Sequence, residues 1–133
     1  MKQPDLICSL ICDDVRREDN GKGILIGIFS TLNSILFPFV AEFHVFNVWT
    51  NGTGRFEEQT VVIDPDGRQL SAVGPIAFTL PDDAHRHYLN HAFRVAFTRP
   101  GRYFIKTLLG GEEKLTLPFD VVGEEEQISS SHT

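Results

Sequence analysis

Cysteine, methionine and tryptophan are scarce in this sequence, which has two Cys, one Met and one Trp among 133 residues. Two cysteines cannot build the dense disulfide framework of a small secreted domain. Cys8 and Cys12 stand in what reads as one strand, where residues four apart have α-carbons about 13 Å apart. A disulfide spans roughly 4.4 to 6.8 Å. The two are therefore read as unpaired, small buried hydrophobes in a reducing compartment. A run of Lys and Arg is also missing. With a formal net charge of -6 and a pI near 5.2, the field repels phosphate backbones, so nucleic acid is not expected as a partner. No segment approaches the roughly 20 apolar residues that cross a bilayer. The polar start Met1-Lys2-Gln3-Pro4-Asp5, followed by the short apolar stretch Leu6 to Cys12, does not make a signal peptide. No membrane insertion and a cytoplasmic location are the expectations. Gly21-Lys22-Gly23 lacks the helix that a phosphate-binding loop needs. No Ser or Cys lies in a sharp glycine-flanked turn suited to a nucleophile. Neither a catalytic residue nor a cofactor is expected.

What is abundant is phenylalanine, with 11 residues. Aromatic side chains favour pleated, half-buried surfaces, so the chain leans towards strands. The composition, 41% hydrophobic and 23% charged, is that of one globular domain. Leu6 to Cys12 reads as a buried strand ended by Asp13-Asp14. The charged stretch to Asn20-Gly21 is a turn leading into Ile24 to Thr31. Leu32 to Phe39, with Phe37-Pro38-Phe39, reads as a crossing between sheets. Ala41 to Thr50 places Phe43, Val45 and Trp49 on one face and His44, Phe46 and Val48 on the other. Gln59 to Asp64 and Arg68 to Val73 flank the turn Asp64-Pro65-Asp66-Gly67, and Ile76 to Leu80 is another short strand. The strongest period-two pattern follows His87, with Leu89, His91, Phe93, Val95 and Phe97 opposed to Tyr88, Asn90, Arg94 and Thr98. Tyr103 to Leu109 and Lys114 to Val122 close a last hairpin. Short strands separated by turn signals, with no helical period, predict an all-β, antiparallel immunoglobulin-like sandwich of about eight to nine strands. It occupies residues 1-122. Residues 123-133, acidic and then Ser-rich, are expected to form a flexible tail.

Two stretches resemble known patterns. Pro100-Gly101-Arg102-Tyr103 resembles the corner before the penultimate strand of many immunoglobulin-like sandwiches. Cys12-Asp13-Asp14-Val15-Arg16, Asn20-Gly21-Lys22 and Ile26-Gly27-Ile28-Phe29, with Pro38 and Asp64-Pro65-Asp66-Gly67 further on, are similar to a family of small uncharacterised bacterial proteins. That resemblance implies a bacterial, stand-alone domain without an assigned activity.

The candidate sites are few. Asp13, Asp14, Arg16 and Glu18 form a polar loop cluster whose oxygens could meet a hard cation, although the spacing is not that of an EF-hand. Asp13 and Asp14 more simply end a strand and pair with Arg16 or Arg17. His85, His87 and His91 share strand parity, but residues four apart on a strand are about 13 Å apart. They cannot share one ion, so no metal is expected, and the histidines are read as solvent-facing or edge residues. Phe37, Pro38, Phe39 and Phe43 are the candidate interface, because large aromatics around a crossing loop are seldom left bare. The expectation is a non-catalytic interaction or assembly module with a protein partner or a second copy of itself. The alternatives are a small-molecule or carbohydrate-binding sandwich, marked by an exposed Trp49, and a hydrolase with dispersed carboxylates facing each other in a pocket.

Overall fold

Period-two burial runs through His87–Phe97 and Gly101–Leu109 in the computed structural model, which describes residues 1–123. The strands are β1 (Asp5–Arg17), β2 (Gly23–Ile28), β3 (Thr31–Ser34), β4 (Phe39–Thr50), β5 (Gly54–Ile63), β6 (Gln69–Leu80), β7 (His87–Phe97), β8 (Gly101–Leu109) and β9 (Glu112–Gly123). No helix occurs among the described residues. One sheet has the order β2-β1-β4-β7 and the other β3-β9-β8-β5-β6. All pairings are antiparallel except β3 with β9. The all-β expectation stands. The expected tail lies outside the described residues, apart from Gly123, which ends β9.

Several boundaries differ from the sequence reading; β5 begins at Gly54 rather than Gln59, and β2 ends at Ile28 rather than Thr31. Asp13 and Asp14 do not end the first strand, because Asp14, Val15, Arg16 and Arg17 continue the ladder against β2. A long hairpin can carry charge on its solvent side without breaking. The crossing from Leu32 contains a short strand, β3, whose Thr31 to Ser34 run beside Asp120 to Gly123. Arg68 to Val73 and Ile76 to Leu80 belong to one strand, β6, with an irregularity opposite Glu58 and Thr60. Pro75 is tolerated there because β6 is the edge of its sheet and its missing N–H faces no further strand.

The two sheets bury two apolar clusters against each other. One contains Ile11, Phe43, Val45, Val62, Phe93, Val95, Phe97, Tyr103, Ile105, Phe119 and Val121. The other contains Trp49, Phe56, Phe78, Leu80, Leu89 and Leu109. Aromatic rings knit the first: Phe43 stacks on Phe93 at 5.4 Å, and Phe97 meets Tyr103 edge-on at 5.0 Å. The Tyr103 hydroxyl donates to the Arg99 carbonyl at 2.7 Å, which fastens the turn into β8.

Candidate functional site

Between the apolar clusters lies a polar layer, and the strands build it by one shared interruption. The inward series on β4 runs Phe43, Val45, Asn47, Trp49; on β7 it runs Phe93, His91, Leu89. On β5 it runs Phe56, Glu58, Thr60, Val62, and on β8 Ile105, Thr107, Leu109. Asn47, Glu58, Thr60, His91 and Thr107 are all buried, none more than 1% exposed. Glu58 is the centre. Trp49 Nε1–H donates to its Oε2 at 2.5 Å, the Thr60 hydroxyl donates to its Oε1 at 3.0 Å, and His91 Nε2 also meets Oε1. Asn47 Nδ2 lies 3.4 Å from each carboxylate oxygen and 3.3 Å from Thr107 Oγ1. Burial by itself would raise the Glu58 pKa. The hydrogen bond and attraction of His91, with the bonds from Trp49 and Thr60, outweigh it and hold the group below its ordinary value. Three buried polar atoms have no protein partner among the described residues: Ser9 Oγ, Asn47 Oδ1 and His91 Nδ1.

The sequence reading does not single out this layer, and its expectation that His91 faces solvent or an edge is corrected here. His91 is 1% exposed rather than solvent-facing, because its strand parity with Leu89 and Phe93 turns it into the interior. The signal was a polar residue in the dry phase of an alternating strand, repeated at Asn47, Glu58, His91 and Thr107. His87 is half-buried, its ring stacked on Phe78 at 5.1 Å. Burial first, then repulsion from His85, lowers its pKa below the ordinary histidine value. Among the described residues no three His, Cys, Asp or Glu side chains group so as to hold a metal.

The polar cluster expected at Asp13, Asp14, Arg16 and Glu18 is not a loop site. Arg16 Nε donates to Asp14 Oδ2 at 2.9 Å on the solvent side of the hairpin, and Arg16 lowers the Asp14 pKa. Asp13 lies against Gly27, and Glu18 closes the turn through backbone bonds with Gly21 and Lys22. Asp64 accepts the amides of Asp66 and Arg68, while Asp66 pairs with Arg99 at 2.6 Å. These carboxylates do not face one another. The candidate interface at Phe37, Pro38, Phe39 and Phe43 is also rearranged. Phe43 is a core residue at 1% exposure, and Phe37 and Phe39 meet edge-on at 5.4 Å while packing against the same core. The crossing chain folds back over the end of the sandwich, so its aromatics are partly buried, whereas Pro38 and the preceding Ile35 and Leu36 stay exposed.

An apolar surface lies elsewhere, on the outer face of the β2-β1-β4-β7 sheet. Register places Leu10 beside Phe46, Cys8 beside Val48, and Val48 beside Tyr88, with Ile28 and Ile26 continuing across β2. Tyr88 is 57% and Ile28 58% exposed, and the Tyr88 ring stacks on Phe46 at 5.8 Å. Cys12 on β1 is buried and Cys8 partly so; both are free thiols. Burial is the main cause raising the Cys12 pKa. Near the chain start, a hollow of about 410 Å³ opens beside Arg55, Phe56, Glu57 and Leu109, without a facing pair of carboxylates.

Residues 7–122 match the model of a family of unknown function, DUF6941. Comparison with curated proteins gives no match. Among solved structures, the chain is similar to "Pseudomonas fluorescens alkylpurine DNA glycosylase AlkC bound to DNA containing an abasic site analog", with a TM-score of 0.59 and 10% identity. The likeness covers 91% of this chain and 31% of that one, so the chain spans about a third of that protein's length. At this identity the likeness is one of fold. It nevertheless overturns the expectation of a protein partner or self-association to the exclusion of nucleic acid, because a chain containing this fold has been solved on DNA. Net charge describes the whole surface, whereas phosphate contacts need only a few local groups.

Proposed function

This chain belongs to the DUF6941 family, and we propose that it is a non-catalytic binding module whose recognition surface is the outer face of the β2-β1-β4-β7 sheet. The observation that carries the reading is the run of Leu10, Phe46, Ile28 and Tyr88 across four strands on the solvent side, with Val48 buried among them at 5% exposure. Contiguous apolar surface rimmed by charge marks binding surfaces more often than bare solvent faces. The rim is present: Arg94 pairs with Glu42 at 3.2 Å and Arg16 with Asp14 at the far end of the same sheet. Against a catalytic reading, the richest cluster of reactive side chains is sealed, with Glu58 at 0% exposure and out of a substrate's reach. Trp49, whose exposure would favour carbohydrate, is equally buried. An immunoglobulin-like class is supported by the order β9-β8-β5-β6, the parallel β3–β9 pair and the Tyr103–Arg99 corner. A cytoplasmic location is supported by the free thiols of Cys8 and Cys12.

The glycosylase likeness favours DNA as the ligand to be tried first. Exposed Tyr88 offers a stacking face, which serves single strands without sequence preference. The test compares the native protein with a Tyr88→Ser/Ile28→Ser double variant, whose changed residues are exposed enough to leave the fold intact. Labelled single-stranded and duplex oligonucleotides are titrated by fluorescence anisotropy at two salt concentrations, and immobilised protein is challenged with cell extract. Salt-sensitive oligonucleotide binding that the double variant loses establishes DNA as the ligand. Retention of one extract component by the native protein and its loss from the variant places recognition on this face. Equal behaviour of the two proteins in every arm removes the proposal.

A further inference from the structure

The polar layer crosses both sheets. Asn47, Trp49 and His91 come from the sheet β2-β1-β4-β7, while Glu58, Thr60 and Thr107 come from the other. Apart from its own neighbour Thr60, the groups that bind Glu58 belong to the opposite sheet. The kind of neighbour fixes the state of the carboxyl. An indole N–H and an amide NH₂ can only donate, and they address Glu58 Oε2 and both oxygens respectively. A carboxylate, being acceptor-only, matches that set; a proton on Oε2 would point at the Trp49 donor. With Thr60 and His91 Nε2 on Oε1, every strong site of the carboxylate is occupied.

We propose that Glu58 is an acid-sensitive clasp between the two sheets, held as a carboxylate by donors from both, and that its protonation releases one sheet from the other. The release follows from the same inventory. Adding a proton removes the charge that strengthens each bond, and on Oε2 it places a donor against Trp49 and Asn47, in a layer whose side chains are at most 1% exposed. The charged and titratable groups facing Glu58 are few. Beside His91, β7 contributes His87, which interacts with Glu58 electrostatically. The neighbours on β4, β6 and β8 are Asn47, Trp49, Ile76 and Thr107, none of which titrates as a carboxyl or imidazole does.

The sign of the effect is fixed by direction. Glu58 lies below its ordinary value of 4.5 when folded. Its contribution is therefore complete above that value and is lost as pH falls through the lower, folded value. His87, also lowered, adds a loss that begins as pH falls below 6.5. The two windows separate the groups.

The experiment is a set of urea unfolding curves from pH 7 to pH 2 for the native chain, Glu58→Gln and His87→Gln. The native protein should lose midpoint steeply below pH 4.5, His87→Gln should keep that limb, and Glu58→Gln should be less stable at pH 7 and keep only the shallower limb of the exposed carboxylates Asp14, Glu113 and Asp120. A Glu58→Gln curve that keeps the native acid limb overturns the proposal. Should Glu58→Gln fail to fold, carboxyl carbon shifts of the native protein, with amide exchange followed over the same pH range, decide the matter. Loss of protection on β4, β5, β7 and β8 in step with the Glu58 carboxyl titration supports the clasp. Protection that persists through that titration refutes it.

Discussion

A single buried carboxylate is costly unless the surrounding groups replace the water it loses. In this protein Trp49 is one of the replacements, since its N–H reaches Glu58 while its ring packs with Phe78 at 5.9 Å. Trp49→Phe keeps an aromatic ring and removes the donor. Because the lost bond is to a charged group, the expected cost is about 1.5–3 kcal/mol, read from urea midpoints at pH 7. Tyr103→Phe removes a hydroxyl from the neutral Arg99 carbonyl instead and should cost only about 0.5–1.5 kcal/mol. Equal losses in the two variants would mean that Glu58 carries no charge. Residue identity was readable in advance for most of the interior, since Phe, Val, Ile and Leu at alternate positions announce a dry face. Glu58 and Asn47 were harder to place. A polar residue in the dry phase is meaningful only if its partners lie at the same depth, and those partners come from other strands.

At the level of elements, the irregularity in β6 protects the same layer. Gly74 has a φ of +103°, and a β-carbon built there would lie 2.6 Å from the Glu58 carbonyl oxygen. Backbone cannot swing aside as a side chain can. Gly74→Ala should therefore combine a left-handed backbone penalty with overpacking and cost about 3 kcal/mol or more. Gly27 in β2 has a φ of +67°, but the atom it would meet is the Asp13 carboxylate, on an exposed side chain free to turn. Gly27→Ala should cost about 1 kcal/mol, chiefly through the backbone. Thermal melts of the two variants check the order, and a milder loss at Gly74 would show that β6 moves away from β5 without difficulty. Gly74-Pro75 is visible as punctuation in the sequence and predicts a break between two strands. Only the pairing with β5 on both sides of it shows one strand carrying an irregularity.

For the whole molecule, stability rests on the packing between sheets, and the polar layer divides that packing into two clusters. Phe119, 2% exposed, touches Phe43, Phe97 and Tyr103 within the larger cluster, whereas Phe37 sits partly buried at its margin. Phe119→Ala should lower unfolding stability by about 3–5 kcal/mol, and Phe37→Ala by distinctly less, in denaturant titrations. The reverse order would place Phe37 rather than Phe119 at the centre of the packing. The sequence by itself determined the all-β class, the turns and the inward face of most strands, because alternation and turn chemistry are local and each strand carries its own copy of the pattern. The tertiary structure alone decided which apolar residues remain outside, as at Tyr88 and Ile28, and that Asn47, Glu58, Thr60, His91 and Thr107 meet at one level of the interior. Such meetings depend on the register between strands and on the facing of one sheet by the other. Both are set by contacts between segments distant in sequence, so no local pattern can contain them.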